Sequence, residues 1–124
     1  MFNSTFSGLP QPSLSVSKSV ISDTDSVTLS CHSSEASASE CSFYSEDTSP
    51  VVWPSCLYRV TATKLLSLAH KNSPAEVKIQ CFYTVMQDGI KRPSPHSKSV
   101  FIFVQSESFT FILYTLIYSY ISGS

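Results

Sequence analysis

Four cysteines in a chain of 124 residues, Cys31, Cys41, Cys56 and Cys81, constrain this fold more than any other feature. The set is even, holds no C-x-x-C pair, and has no histidine spaced to complete a tetrahedral zinc site, so disulfides are expected and a metal centre is not. Three connectivities are open, and the sequence alone does not choose among them. The preferred one nests Cys41 with Cys56 inside Cys31 with Cys81, closing one short and one long loop. On the chain-entropy account a loop of about 15 residues contributes roughly 3 kcal/mol and one of about 50 roughly 4, comparable with the whole stability of a small domain. Persistent bridges imply an oxidising compartment, which places the chain on the extracellular face of the plasma membrane or among secreted proteins.

The length suits one core with short tails and leaves no room for a multidomain enzyme. A formal charge of −1 with 14% charged residues argues against nucleic acid as a partner and against an acidic disordered tail. The three glycines, Gly8, Gly89 and Gly123, are too far apart for a phosphate-binding loop. There is no G-x-S-x-G elbow, and His32, His70 and His96 are scattered with no nucleophile set beside them, so no catalytic residue, metal or cofactor is expected. Serine fills 27 positions and aromatics 12%, a composition of short strands joined by polar turns. The expected class is all-β.

Residues 13–21 alternate and then lose register at Ser19 and Val20, which predicts a broken edge strand. Val27, Leu29 and Cys31 share one face of a clearer strand, opposite Ser26, Thr28 and Ser30. Residues 32–40 lack large apolar side chains and predict a loop, followed by a short strand at 41–44. Two prolines near Val51–Trp53 predict an irregular crossing or an edge. Strands are expected at 58–63 and at 64–69, the second because Thr61 and Thr63 before it and Asn72-Ser73-Pro74 after it leave too little length for a stable helix. Val77, Ile79, Cys81, Tyr83 and Val85 alternate as a central strand does, Asp88-Gly89 supplies a tight turn, residues 91–98 form a Pro-rich loop, and Val100–Val104 is the last strand.

The stretches Ser26–Cys31 (SVTLSC) and Val77–Cys81 (VKIQC), fifty positions apart, resemble the paired cysteine strands of an immunoglobulin-superfamily domain over residues 11–105. The resemblance implies a two-sheet antiparallel β-sandwich stapled by Cys31–Cys81, with Leu65–Leu68 as the fifth strand of the family and Val100–Val104 as its last. Phe43 and Tyr44 stand where the family's core tryptophan falls, and Ile79 stands where its corner tyrosine does. A short C2-like or receptor-type domain fits these departures better than an antibody variable domain, with Cys41–Cys56 as an extra clasp. The implied function is protein recognition by a cell-surface receptor or adhesion module, with a soluble or truncated fragment acting as a decoy as the alternative.

Residues 1–10 and 106–124 are expected to be tails. The first twenty residues hold no apolar run of the length a secretory signal uses, which suggests an incomplete or unconventional start. Residues 109–121 are apolar and uncharged but shorter than the roughly 20 residues a spanning helix needs, which suggests a truncated membrane anchor, a cleaved hydrophobic tail or an extension from an alternative reading of the transcript. Asn3-Ser4-Thr5 is a glycan acceptor pattern. Six acids and no base lie between Asp23 and Asp47, whereas seven bases face Glu76 and Asp88 between Arg59 and Lys98. Within the basic half Lys91, Arg92, His96 and Lys98 are the expected partner-binding cluster, with Tyr83 or Met86 nearby, directed at an acidic patch on a protein ligand.

Overall fold

The structure, a computed structural model, describes residues 8–35, 38–45, 48–106 and 115–122. Among the described residues up to 106, nine strands and a helix follow one another as β1 (Ser13–Val16), β2 (Val20–Ser22), β3 (Ser26–His32), β4 (Ala38–Ser45), β5 (Val51–Trp53), β6 (Leu57–Thr61), α1 (Ala62–Ala69), β7 (Ala75–Gln87), β8 (Ile90–Pro93) and β9 (Val100–Gln105). They form a sandwich of a three-stranded sheet, β1-β3-β6, and a six-stranded sheet, β2-β9-β7-β4-β5, with β8 also paired to β7. All pairings are antiparallel except β2 with β9, which run parallel. The broken register at Ser19–Val20 is the point where the chain leaves one sheet for the other.

Period-two alternation builds the core. Val27, Leu29 and Cys31 on β3 face Val77, Ile79, Cys81, Tyr83 and Val85 on β7, with Phe43, Val60, Ile102 and Val104, all buried. Cys31–Cys81 joins the two sheets through this layer, with Cα atoms 6.2 Å apart. Cys41–Cys56 ties β4 to the β5–β6 connection at a Cα separation of 5.1 Å. Phe43 packs on Tyr58 at a centroid distance of 5.6 Å, and Trp53 covers Tyr58 from the open side at 4.6 Å. Phe43 is therefore one of three buried aromatics, with Tyr58 and Tyr83, and the single tryptophan, Trp53, lies exposed on the edge strand β5. Tyr83, two residues after Cys81, is fully buried and its hydroxyl donates to the Pro10 carbonyl at 2.6 Å. Together with Leu9, which packs on the core, this bond seats the chain before β1.

One expected strand is a helix. Residues 64–69 belong to α1, and the strand that pairs with β3 is β6 instead. Thr61 ends β6 in extended geometry and its Oγ1 accepts the Lys64 N–H at 3.1 Å, capping the helix. Ala62, Leu65 and Leu66 then fall on one buried face at helical spacing. His70 closes the helix in the left-handed region (φ 55°), and the N–H groups of His70 and Lys71 return to the Ser67 and Leu66 carbonyls. Packing of that face onto the sandwich compensates for a length marginal in isolation. Thr61→Ala should cost about 1 kcal/mol and lower Tm by roughly 4 to 8 °C, followed by circular dichroism; an unchanged Tm would show that the cap contributes nothing.

Two loop expectations are also corrected. The strand β4 starts at Ala38, inside the segment 32–40, and residues 90–93 form β8. Asp88 and Gly89, both at positive φ, make the two-residue reversal between β7 and β8.

Candidate functional site

The outward side of the six-stranded sheet carries several exposed large apolar side chains among polar ones. On β9, Ile102 and Val104 point into the core, so Phe101 and Phe103 point out, 48% and 38% exposed. Val20, paired with Phe103, is 53% exposed. On β7 the outward set is Glu76, Lys78, Gln80, Phe82, Thr84 and Met86, and Phe101 and Phe103 sit beside Lys78 and Glu76. At the far edge, Val52 on β5 is 54% exposed and pairs with Ser42 on β4, which in turn pairs with Phe82. Soluble domains do not ordinarily leave a run of large apolar side chains on one sheet face unless something covers it.

An aromatic cluster sits in the middle of this face. The His96 ring stacks on Phe82 at 4.7 Å and 10°, and meets Tyr44 edge-on at 5.2 Å. The Tyr44 hydroxyl is hydrogen-bonded to His96 Nδ1, and partial burial holds its pKa above the usual 10.0. Gln11 Nε2 donates to the His96 carbonyl at 2.8 Å, fixing the backbone there.

Two serines place His96. Pro93 and Pro95 cannot donate to a strand ladder, yet residues 94–97 lie along β7. The Ser94 and Ser97 N–H groups donate to the Tyr83 and Cys81 carbonyls, both at 2.8 Å. In the other direction the Tyr83 and Cys81 N–H groups donate to Ser94 Oγ and Ser97 Oγ, both at 3.0 Å. Serine hydroxyls thus stand in for strand carbonyls, both serines are buried, and His96 between them is turned onto the sheet face.

The expected basic cluster is distributed over three environments. Lys91 lies on β8 and pairs with Glu40 at 3.2 Å, an exposed contact of small energetic weight. Arg92, opposite Val85 on the core side of the hairpin, is half-buried, and its Nε has no hydrogen-bond partner among the described residues. His96 belongs to the aromatic cluster, and exposed Lys98 borders a hollow with Gln11, Pro12 and Leu14. Tyr83 is in the core, whereas Met86 is exposed. Asn3 lies outside the described residues, as do residues 109–114 of the apolar tail. Residues 115–121 are helical, with Leu116, Ile117, Tyr118, Tyr120 and Ile121 exposed. No helix among the described residues is long and apolar enough to cross a membrane. Among the described residues no group of three His, Cys, Asp or Glu side chains is placed to hold a metal ion.

No protein-family model matches this chain, and no curated protein does. Among solved structures, murine CEACAM1b is similar, with a TM-score of 0.51 and 18% sequence identity. The match covers 77% of this chain and 45% of that one, so the chain spans less than half the length of the structure it resembles. The likeness shows the fold: two sheets joined by a core disulfide, in the immunoglobulin-like arrangement.

Proposed function

We propose that this chain is an extracellular or secreted binding module that recognises a protein partner through the outward face of its six-stranded sheet. The observation that carries the reading is the pair Phe101 and Phe103, exposed on a strand whose alternate residues are core, continuous with Val20 on one side and close to the Tyr44–Phe82–His96 cluster on the other. Two disulfides support an oxidising compartment. The fold neighbour CEACAM1b supports a module of immunoglobulin type. In this reading residues 11–105 are the binding unit, 1–10 and 106–124 are tails, and the apolar segment 109–121 holds the unit at a membrane.

A second contact would run through the β7–β8 hairpin, where exposed Lys91 and half-buried Arg92 lie side by side on β8. Lys91, His96 and Lys98 would then contribute to attraction of an acidic patch from separate positions.

The test is a screen of the multimerised chain against cell-surface ectodomains, repeated with Phe101→Asp/Phe103→Asp. Exposed aromatics at the centre of an interface are the residues whose loss weakens binding most. The double variant should keep its Tm and lose at least about tenfold in affinity. Undiminished binding by a folded double variant overturns the sheet-face assignment, and loss of binding in Arg92→Glu alone moves the contact to the β7–β8 hairpin.

A further inference from the structure

The two disulfides differ in their access to solvent, and the difference is chemical as well as structural. Cys31, Cys41 and Cys81 are all within 3% of complete burial. Cys56 is half-buried, sits in the bend between β5 and β6, and lines an open hollow of about 390 Å³ together with Ser30, Cys31, His32, Ser55 and Leu57. Thiol exchange requires a thiolate to approach a disulfide sulfur directly, so it selects the bridge with a reachable sulfur. Cys31 borders the same hollow but is only 3% exposed, and Cys81 is 0% exposed, whereas Cys56 is half-buried, so Cys41–Cys56 is the more open bridge, on the Cys56 side.

We propose that Cys56 is a thiol-exchange site, which takes a small thiol of the glutathione class and opens the Cys41–Cys56 bridge while Cys31–Cys81 stays closed. The attacking thiolate forms a new S–S bond with Cys56 Sγ, and the electron pair of the old bond leaves on Cys41 Sγ, which takes up a proton. A second thiol then displaces the first from Cys56, so that two thiols become one small-molecule disulfide and the protein gains two cysteine thiols. The released Cys41 thiol has an acceptor in place, because its Sγ lies 3.9 Å from the Cys31 carbonyl. The Cys31 N–H donates to the Cys56 carbonyl at 2.9 Å, so the backbone of the bend keeps one tie to β3 after the bridge opens.

Opening releases the covalent hold on the short connection that carries β5 at the sheet edge, where only three residue pairs join it to β4. It leaves the staple between the sheets untouched. The reduced form should therefore remain a folded sandwich with a loosened β5.

The folded chain is incubated with graded reduced glutathione at neutral pH without denaturant. Aliquots are quenched in acid, alkylated in denaturant with a maleimide, and mapped by mass spectrometry. The expected result is early loss of the Cys41–Cys56 peptide pair with a transient glutathione adduct on Cys56, while the Cys31–Cys81 pair is lost at least roughly ten times more slowly. Loss of both bridges in step, an adduct on Cys41 in place of Cys56, or reduction of Cys41–Cys56 only once the near-ultraviolet dichroism has collapsed would each overturn the proposal. The readout is independent of any partner, so it stands or fails apart from the binding face.

Discussion

Replacing Cys31 and Cys81 together by alanine should remove most of the stability of this domain. The bridge closes a loop with a sequence separation of 50, which on the chain-entropy account stabilises by about 4 kcal/mol. Total stabilities of small domains are on the order of 5 to 15 kcal/mol, so the double variant is expected to be largely unfolded at 37 °C. The two alanines also leave unfilled volume between β3 and β7, at positions 3% and 0% exposed, which adds to the loss. Urea unfolding followed by tryptophan fluorescence measures the effect through Trp53. A midpoint within experimental error of the parent would mean that the sheets are held by packing alone.

Phe43→Ala is the second large expectation. The ring is 1% exposed and lies against Tyr58 across the space between the sheets, where truncation of a buried phenylalanine costs roughly 3 to 5 kcal/mol. The urea midpoint should fall with little change in slope, since the surface exposed on unfolding is nearly the same. Phe43→Leu, which keeps most of the volume, should lose much less. Equal losses in the two variants would show that ring shape at this position matters more than filled space.

What could be seen in the sequence followed from how local each signal is. The alternation over Val27–Cys31 and Val77–Val85 survives any tertiary context, because one face of each strand is entirely apolar. The sheet-face site was only half legible. Phe101 and Phe103 alternate with Ile102 and Val104, but all four are apolar, so the pattern alone does not separate the inward pair from the outward one. The burial of Ser94 and Ser97 leaves no mark in the sequence, because hydroxyl-to-backbone bonds carry no hydrophobic period. The segment 64–69 is a helix because the Thr61 cap and the burial of Ala62, Leu65 and Leu66 on one face supply the stability that so short a helix lacks in isolation, and that burial is a tertiary property. The basic residues from Lys91 to Lys98 are near in sequence, yet a hairpin arm and a proline-broken segment send them to different sides.

The parallel pairing of β2 with β9 fixes an order of events during synthesis. The seat of β2 in the six-stranded sheet is beside β9, with Val20, Ile21 and Ser22 registered on Phe103, Val104 and Gln105. A nascent chain presents β2 before β9 and must hold Ile21 uncovered until β9 arrives. Any product that stops short of Gln105 strands that residue in water, and quality control in the cell meets an unsealed seam whatever the state of the remaining strands.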